Sequence, residues 1–191
     1  MTDSAAPLPR FETVEDYLAW SETRGDRRHE LVGGEVVAMA PERVLHSLTK
    51  GLAWRALDAA VRGAGVPCMA LPDGVGVRAE GPSVFEPDVT VNCGPLDPKG
   101  VFAPDPVILV EVISPSSRSV DTGVKLSAYF TIPSVMHYLI LDADGRRVIH
   151  HARDGARILT AIRGDGVLRL DPPGIEVEVE ALFPPPDAFD A

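Results

Sequence analysis

Two apolar runs in this chain are each broken by a single carboxylate: Pro87-Asp88-Val-Thr-Val91 and Val107-Ile-Leu-Val-Glu111-Val-Ile113. Both runs are strand-like, and a strand core excludes an unpaired Asp or Glu because burying a charge without a partner is costly. Two such exceptions in adjacent runs suggest a shared partner, and a divalent cation is the simplest one. A third group follows on a predicted helix. Asp121, Lys125 and Tyr129 are spaced four apart and therefore share a face. Two carboxylates, a lysine and a metal are the parts of a hydrolytic site.

The periodicity around these runs sets the fold class. Thr13 caps a short helix over 13–20, with Asp16 in its first turn and Tyr17, Leu18 and Trp20 on its apolar side. Residues 30–39 predict a hairpin about Gly33-Gly34. The longest helix is expected over 43–62. Leu45, Leu48, Leu52 and Ala56 form its stripe, Leu57 and Val61 lie beside it, and Gly63 and Gly65 end it. Strands are expected at 66–70, 74–79, 87–92 and 107–113, a second helix at 120–130, and further strands at 135–141, 147–151, 157–162 and 175–179. Strand, helix and strand from 107 to 141 make a crossover unit, which predicts that its two strands pair in parallel. The sum is an α/β domain with a central sheet flanked by helices. Residues 1–12 read as a loose lead-in, 13–183 as one domain and 184–191 as a Pro-rich tail. A length of 191 residues suits one such domain.

A net charge of −10 argues against a protein that coats nucleic acid passively, because such affinity comes from neutralising phosphates. It leaves room for an enzyme with a local basic rim, for which Arg27, Arg28, Arg43 and Arg118 are candidates. No apolar run approaches the roughly 20 residues of a membrane span. The N-terminus lacks a basic segment followed by an apolar one, so a cytoplasmic location is expected. Cys68 and Cys93 show no CxxC spacing. Two buried thiols are the expectation in that compartment, with pairing as the alternative.

Phosphodiester hydrolysis needs a nucleophilic water, a sink for transition-state charge and help for the leaving oxygen, and a magnesium ion held by two carboxylates can contribute to all three. Magnesium uses few protein oxygens, so Asp88, Glu111 and the backbone carbonyl of Val112 or Ile113 suffice if the two strands are neighbours. Lys125 would hold or polarise the attacking water. The chain otherwise prefers arginine, so a lysine at this position is informative. Tyr129, one turn later, could bond a phosphate oxygen or orient Lys125. The plainer alternative is that Asp121 and Lys125 form an i,i+4 surface pair and that Asp88 is a turn residue.

At these residues the chain resembles the Uma-type restriction endonuclease family, a branch of the PD-(D/E)XK nuclease superfamily. The matching elements are Glu30-Leu-Val-Gly-Gly-Glu35, Glu86-Pro-Asp88-Val, Val110-Glu111-Val-Ile-Ser-Pro-Ser-Ser117, Asp121-Thr-Gly-Val-Lys125-Leu-Ser-Ala-Tyr129 and Val135-Met-His-Tyr-Leu-Ile-Leu-Asp142, spread over residues 14–153. The resemblance implies a restriction-endonuclease-like core with a central mixed β-sheet, dependence on magnesium or manganese, and DNA as substrate. Pro87-Asp88 stands as the motif's first acid and Glu111 as its second. Ile113 stands where the motif has its lysine, and the lysine moves to the next helix as Lys125. Glu30 would be an outer acid near the metal, and His46 a weaker candidate. A double-strand cut needs two sites, which makes a homodimer the expected assembly.

Other motifs carry less. His150 and His151 are adjacent on a strand and face opposite ways, so they are poor joint ligands. Asp142-Ala-Asp-Gly145 is explained by an Asp-Gly hairpin. Ser114-Pro-Ser-Ser117 lacks the glycines of a nucleophile elbow. The rival to a nuclease is a non-catalytic nuclease-fold module that binds a protein or nucleic acid, which the acidic total and the displaced lysine favour. A hydrolase of small phosphoesters is the third reading.

Overall fold

The strand that carries Glu111 is covered on both faces, and the rest of the chain is arranged about it. The computed structural model describes residues 8–24, 28–39, 41–113 and 121–189. In chain order its elements are α1 (Val14–Glu22), β1 (His29–Val32), β2 (Glu35–Ala38), α2 (Val44–Ala64), β3 (Met69–Pro72), β4 (Val77–Ala79), β5 (Ser83–Phe85), β6 (Val89–Asn92), β7 (Pro106–Ile113), α3 (Asp121–Tyr129), β8 (His137–Asp142), β9 (Arg147–Asp154), β10 (Arg157–Arg163), β11 (Val167–Leu170) and β12 (Ile175–Glu178), followed by a short 3-10 turn (Val179–Leu182). A six-stranded sheet has the order β10-β9-β8-β7-β6-β3. Only β7 and β8 pair in parallel, joined through α3 as the crossover predicts. The other neighbours are antiparallel, so the sheet is mixed.

Every residue of β7 and β8 is buried. Alternation explains how β7 serves two layers. Ile108, Val110 and Val112 join the core under α2, with Ala53, Leu57 and Val61. Leu109 and Ile113 join the core under α3, with Tyr129, Tyr138 and Ile140. A second sheet, β2-β1-β5-β4, packs with α1. Its β1–β2 hairpin turns at Gly33 and Gly34, with φ of 56° and 84°. A Cβ on Gly34 would meet the Phe11 carbonyl oxygen at 2.7 Å, so the residue is required for space as well as for backbone angle. β11 and β12 form a two-stranded sheet.

Three differences from the sequence reading have physical causes. The buried face of α2 is Thr49, Lys50, Ala53, Leu57 and Val61, whereas Leu48 is exposed and Leu45, Leu52 and Ala56 are half-buried. The true face carries two polar residues, and this shifts the apparent stripe. The helix also runs through Gly63 and ends at Gly65, which is left-handed at φ 65°. Strands β5 and β11 are absent from the expectation because each is short, three and four residues, and β5 is buried throughout with no alternation. Cys68 and Cys93 form a disulfide instead of two free thiols. The antiparallel register pairs Met69 with Asn92, so the cysteines sit one step beyond on adjoining strands.

Arg27, Arg118 and residues 114–117 lie outside the described residues, as does the side chain of Asp121. His150 bonds His137 at 3.0 Å and His151 bonds Thr160 at 2.8 Å, on opposite faces of β9. The Gly145 N–H donates to Asp142 at 3.1 Å, closing the predicted Asp-Gly turn. Among the described residues no helix is long and apolar enough to cross a membrane.

Candidate active site

Glu111 lies on the α3 side of β7, and α3 answers it with two side chains one turn apart. Lys125 Nζ is 3.0 Å from Glu111 Oε1, and the Tyr129 hydroxyl donates to the same oxygen at 2.5 Å. Lys125 also donates to Glu30 Oε1 on β1 at 3.0 Å. That Glu30 oxygen accepts the Glu86 N–H as well, at 3.0 Å. Tyr129 is held edge-on between Phe85 and Tyr138, with ring centroids 5.3 and 5.0 Å away. All of these carboxyl, amine and phenol groups are buried. Lys125 is therefore no partner in an exposed i,i+4 pair.

Asp88 stands just before β6 and closes the other side of the site. Its Oδ2 accepts the Val112 N–H, next to Glu111, at 2.6 Å. Its Oδ1 is 2.6 Å from Lys50 Nζ, and His46 Nε2 is 3.6 Å from Oδ2. Lys50 also bonds Glu42, and it lies 3.2 Å from Asp73. Arg28 then ties Asp73 to Glu86, at 2.8 and 2.7 Å. Glu30, Glu42, Asp73, Glu86, Asp88 and Glu111 thus form one acidic network, whose nearby fixed cations among the described residues are Arg28, Lys50 and Lys125.

The two motif acids respond differently. Burial pushes Glu111 up to about 8; Lys125 pulls against this, and the charges of Asp88 and Glu30 add to it. Burial acts the same way on Asp88, but His46, Lys50 and the Val112 N–H outweigh it and hold the group below the usual range. Burial opposes the charge on Lys50, yet Asp88 and Glu42 lift it to about 12. Lys125 is likewise raised, by Glu111 and Glu30 against its burial. Burial, then the neighbouring carboxylates, raise Tyr129 well above its ordinary value, so it stays a donor. Glu111 is left short of positive charge, which is the condition a divalent cation relieves.

The oxygen-rich donor set suits a hard cation such as magnesium. A second combination, Glu42, His46 and Asp88, offers ligand atoms that lie within 4.8 Å of one another. Asp88 belongs to both groups. Lys125, Glu30 and Tyr129 gather about Glu111, Asp88 joins them through the Val112 N–H, and His46, the weaker candidate, lies beside Asp88. Ile113 ends β7 with its side chain in the apolar core, opposite Asp142 of β8, so only its backbone could serve a metal. The sequence reading omits Lys50, Glu42, Asp73 and Glu86. Glu42, His46 and Lys50 are spaced four apart, and Lys50 is one of the chain's few lysines; those were the available signals.

The family model for Uma2, described as "Putative restriction endonuclease", matches residues 14–182. A Synechocystis protein called "Uncharacterized protein slr1290" is 27% identical over 187 residues, covering 94% of each chain. A second Synechocystis protein, "Uncharacterized protein sll1609", is 34% identical over 92 residues, which is 46% of this chain and 52% of that one. A crystal structure from Anabaena variabilis, described as "a putative nuclease belonging to DUF820", superimposes with a TM-score of 0.69 at 14% identity. The match covers 90% of this chain and 97% of that one and shows a shared fold.

Proposed function

The chain belongs to the Uma2 family, which the match over residues 14–182 establishes, and from that premise we propose that it is a magnesium-dependent endonuclease acting on DNA phosphodiester bonds. The observation that carries the reading is the reach of α3. Lys125 comes from the helix after the strand and still contacts both Glu111 and Glu30 at 3.0 Å. A lysine displaced from the motif position thereby meets the motif's second acid.

Asp88 and Glu111, with the carbonyl of Val112 or Ile113, are the groups that would hold the ion. A divalent ion there supplies Lewis acidity toward a phosphate and makes water a better nucleophile at neutral pH. Lys125 uses two of its three N–H donors on Glu30 and Glu111 and can offer the third to a water or a phosphate oxygen. Glu30 fixes the lysine from the far side. Tyr129 fixes Glu111, and the edge-on rings of Phe85 and Tyr138 fix Tyr129. The likeness to a structure described as a nuclease supports the same reading. We place the active unit at residues 13–183 and as a homodimer, since two sites are needed to cut both strands.

Supercoiled plasmid incubated with magnesium or manganese should be nicked or linearised by the purified protein, and Asp88→Asn or Glu111→Gln should abolish this. Undiminished cutting by both variants would remove the assignment. One observation favours a non-catalytic module instead: each motif acid already has a lysine partner, Lys50 on Asp88 and Lys125 on Glu111. Titration calorimetry separates the two, because a module of that kind binds no magnesium at millimolar concentration.

A further inference from the structure

The Asp88 side of the site already contains a cation that belongs to the protein. His46 and Lys50 are four residues apart on α2 and face Asp88, and Glu42, just before the helix, reaches the Lys50 ammonium. Two carboxylates and an imidazole with ligand atoms within 4.8 Å of one another are a set that binds divalent metals. The Lys50 ammonium stands in that set. It bonds Glu42, lies 2.6 Å from Asp88 Oδ1, and reaches Asp73 at 3.2 Å. Its side chain is only 9% exposed. A lysine stem long enough to carry its charge to water normally does so, and this one instead ends among the acids.

We infer that Lys50 is a built-in second cation, whose ammonium fills a metal-type position beside Asp88 and leaves the site to take one divalent ion where the same ligand set without lysine would take two. Many phosphodiester-cleaving sites clamp the reacting phosphate between two metal ions that share a carboxylate. Here the shared carboxylate would be Asp88. The ammonium sits at Asp88 Oδ1, whereas His46 and the Val112 N–H, next to Glu111, both lie at Oδ2. An ammonium is a point charge with three donors, so it can stabilise an anionic oxygen without its own water shell to shed. The use in catalysis rests on the nuclease reading above, whereas the claim about occupancy does not.

Native mass spectrometry of the full chain with manganese tests the occupancy directly. Lys50→Ala should bind one more manganese ion per chain than the unaltered protein. The added ion should disappear in Lys50→Ala/His46→Ala and persist in Lys50→Ala/Glu111→Gln. Equal stoichiometry with and without Lys50 overturns the inference, as does an added ion that depends on Glu111 instead of His46. Lys50→Ser is the second variant, with circular dichroism checking that each is folded. A further arm keeps the lysine: His46→Ala alone should leave the manganese count unchanged, and a drop would also overturn it. If the unaltered protein binds no manganese while Lys50→Ala binds one through His46, Lys50 still fills the metal-type position, but the one-ion occupancy is overturned and the nuclease reading falls.

Discussion

Replacing Glu111 by Gln should stabilise the metal-free protein while removing its response to divalent ions. The carboxyl is buried, and its folded pKa is about 8 against an ordinary 4.5. A carboxyl raised on folding holds its proton more tightly in the folded than in the unfolded chain. Its favourable contribution is complete below pH 4.5 and is lost as pH rises to about 8. Each pH unit in that window is worth about 1.4 kcal/mol, so at pH 7 the unaltered protein lacks about 3 kcal/mol that it has at low pH. Glutamine has nearly the same shape, carries no charge at any pH, and keeps an oxygen for Lys125 and Tyr129. The expected gain at pH 7 is about 3 kcal/mol, or about 6–12 °C in melting temperature for a chain of this size. It should be small at pH 5 and largest near pH 8. Manganese should stabilise the unaltered protein increasingly over the same window, because ion binding favours the ionised carboxylate, and should leave Glu111→Gln unmoved. Urea unfolding followed by tryptophan fluorescence from pH 5 to 8.5, with chelator and then with manganese, reads both effects. A variant less stable than its parent at pH 8 in chelator would refute the electrostatic argument. A variant still stabilised by manganese would refute the assignment of Glu111 as a ligand.

Tyr129→Phe removes the 2.5 Å hydrogen bond to Glu111 but keeps the ring between Phe85 and Tyr138. It should cost about 1–3 kcal/mol and lower plasmid cleavage about 10–100-fold without loss of folded signal. Leu57→Ala empties a fully buried position between α2 and the sheet. It should destabilise by about 2–5 kcal/mol, read by denaturant midpoint, with cleavage per folded molecule unchanged. His150 is pushed down to about 4, by burial first and then by His137, His151 and Arg163. A histidine depressed on folding contributes stability above its ordinary 6.5 that is lost as pH falls toward 4. In the Glu111→Gln background, which removes the opposing carboxyl titration, the denaturant midpoint should therefore be lower at pH 5 than at pH 7, and adding His150→Gln should narrow the difference; an unchanged difference would show that His150 is not the cause.

The parts of the fold legible in the sequence were those whose burial is apolar. The crossover from β7 through α3 to β8 has continuous apolar strands and a clear helical face, and its parallel pairing follows from connection length alone. The Gly33-Gly34 hairpin and the Thr13 cap are local backbone chemistry and were equally readable; Thr13 Oγ1 accepts the Asp16 N–H at 3.1 Å. The buried face of α2 departs from its apolar stripe because periodicity weighs apolar residues, and this helix buries Thr49 and Lys50. Thr49 satisfies itself on the Leu45 carbonyl at 2.8 Å, which a hydrophobicity pattern cannot see. β5 depends on pairing with β1 and β4, so its evidence is tertiary and not local.

The site divides along the same line. Glu111 and Asp88 announced themselves by violating apolar runs, and Lys125 and Tyr129 by sharing a helical face. Lys50 violated nothing visible, because a lysine on a helix is ordinary until the helix is known to bury that face. Its partners explain why it had to be a buried cation at all. Asp88 does not relieve its burial by protonation as Glu111 does, since His46, Lys50 and the Val112 N–H hold its pKa below the usual range. An ionised aspartate in that position needs a permanent neighbour of opposite charge, whether or not metal is present. Glu111 has its own lysine, Lys125 at 3.0 Å, yet burial still raises its pKa, so a proton competes with an incoming metal for it. The two acids of the motif are therefore not equivalent. Asp88 is held below the usual range beside Lys50, whereas Glu111 is raised by burial beside Lys125 and exchanges a proton for an ion, and the pH dependence of metal binding should follow Glu111.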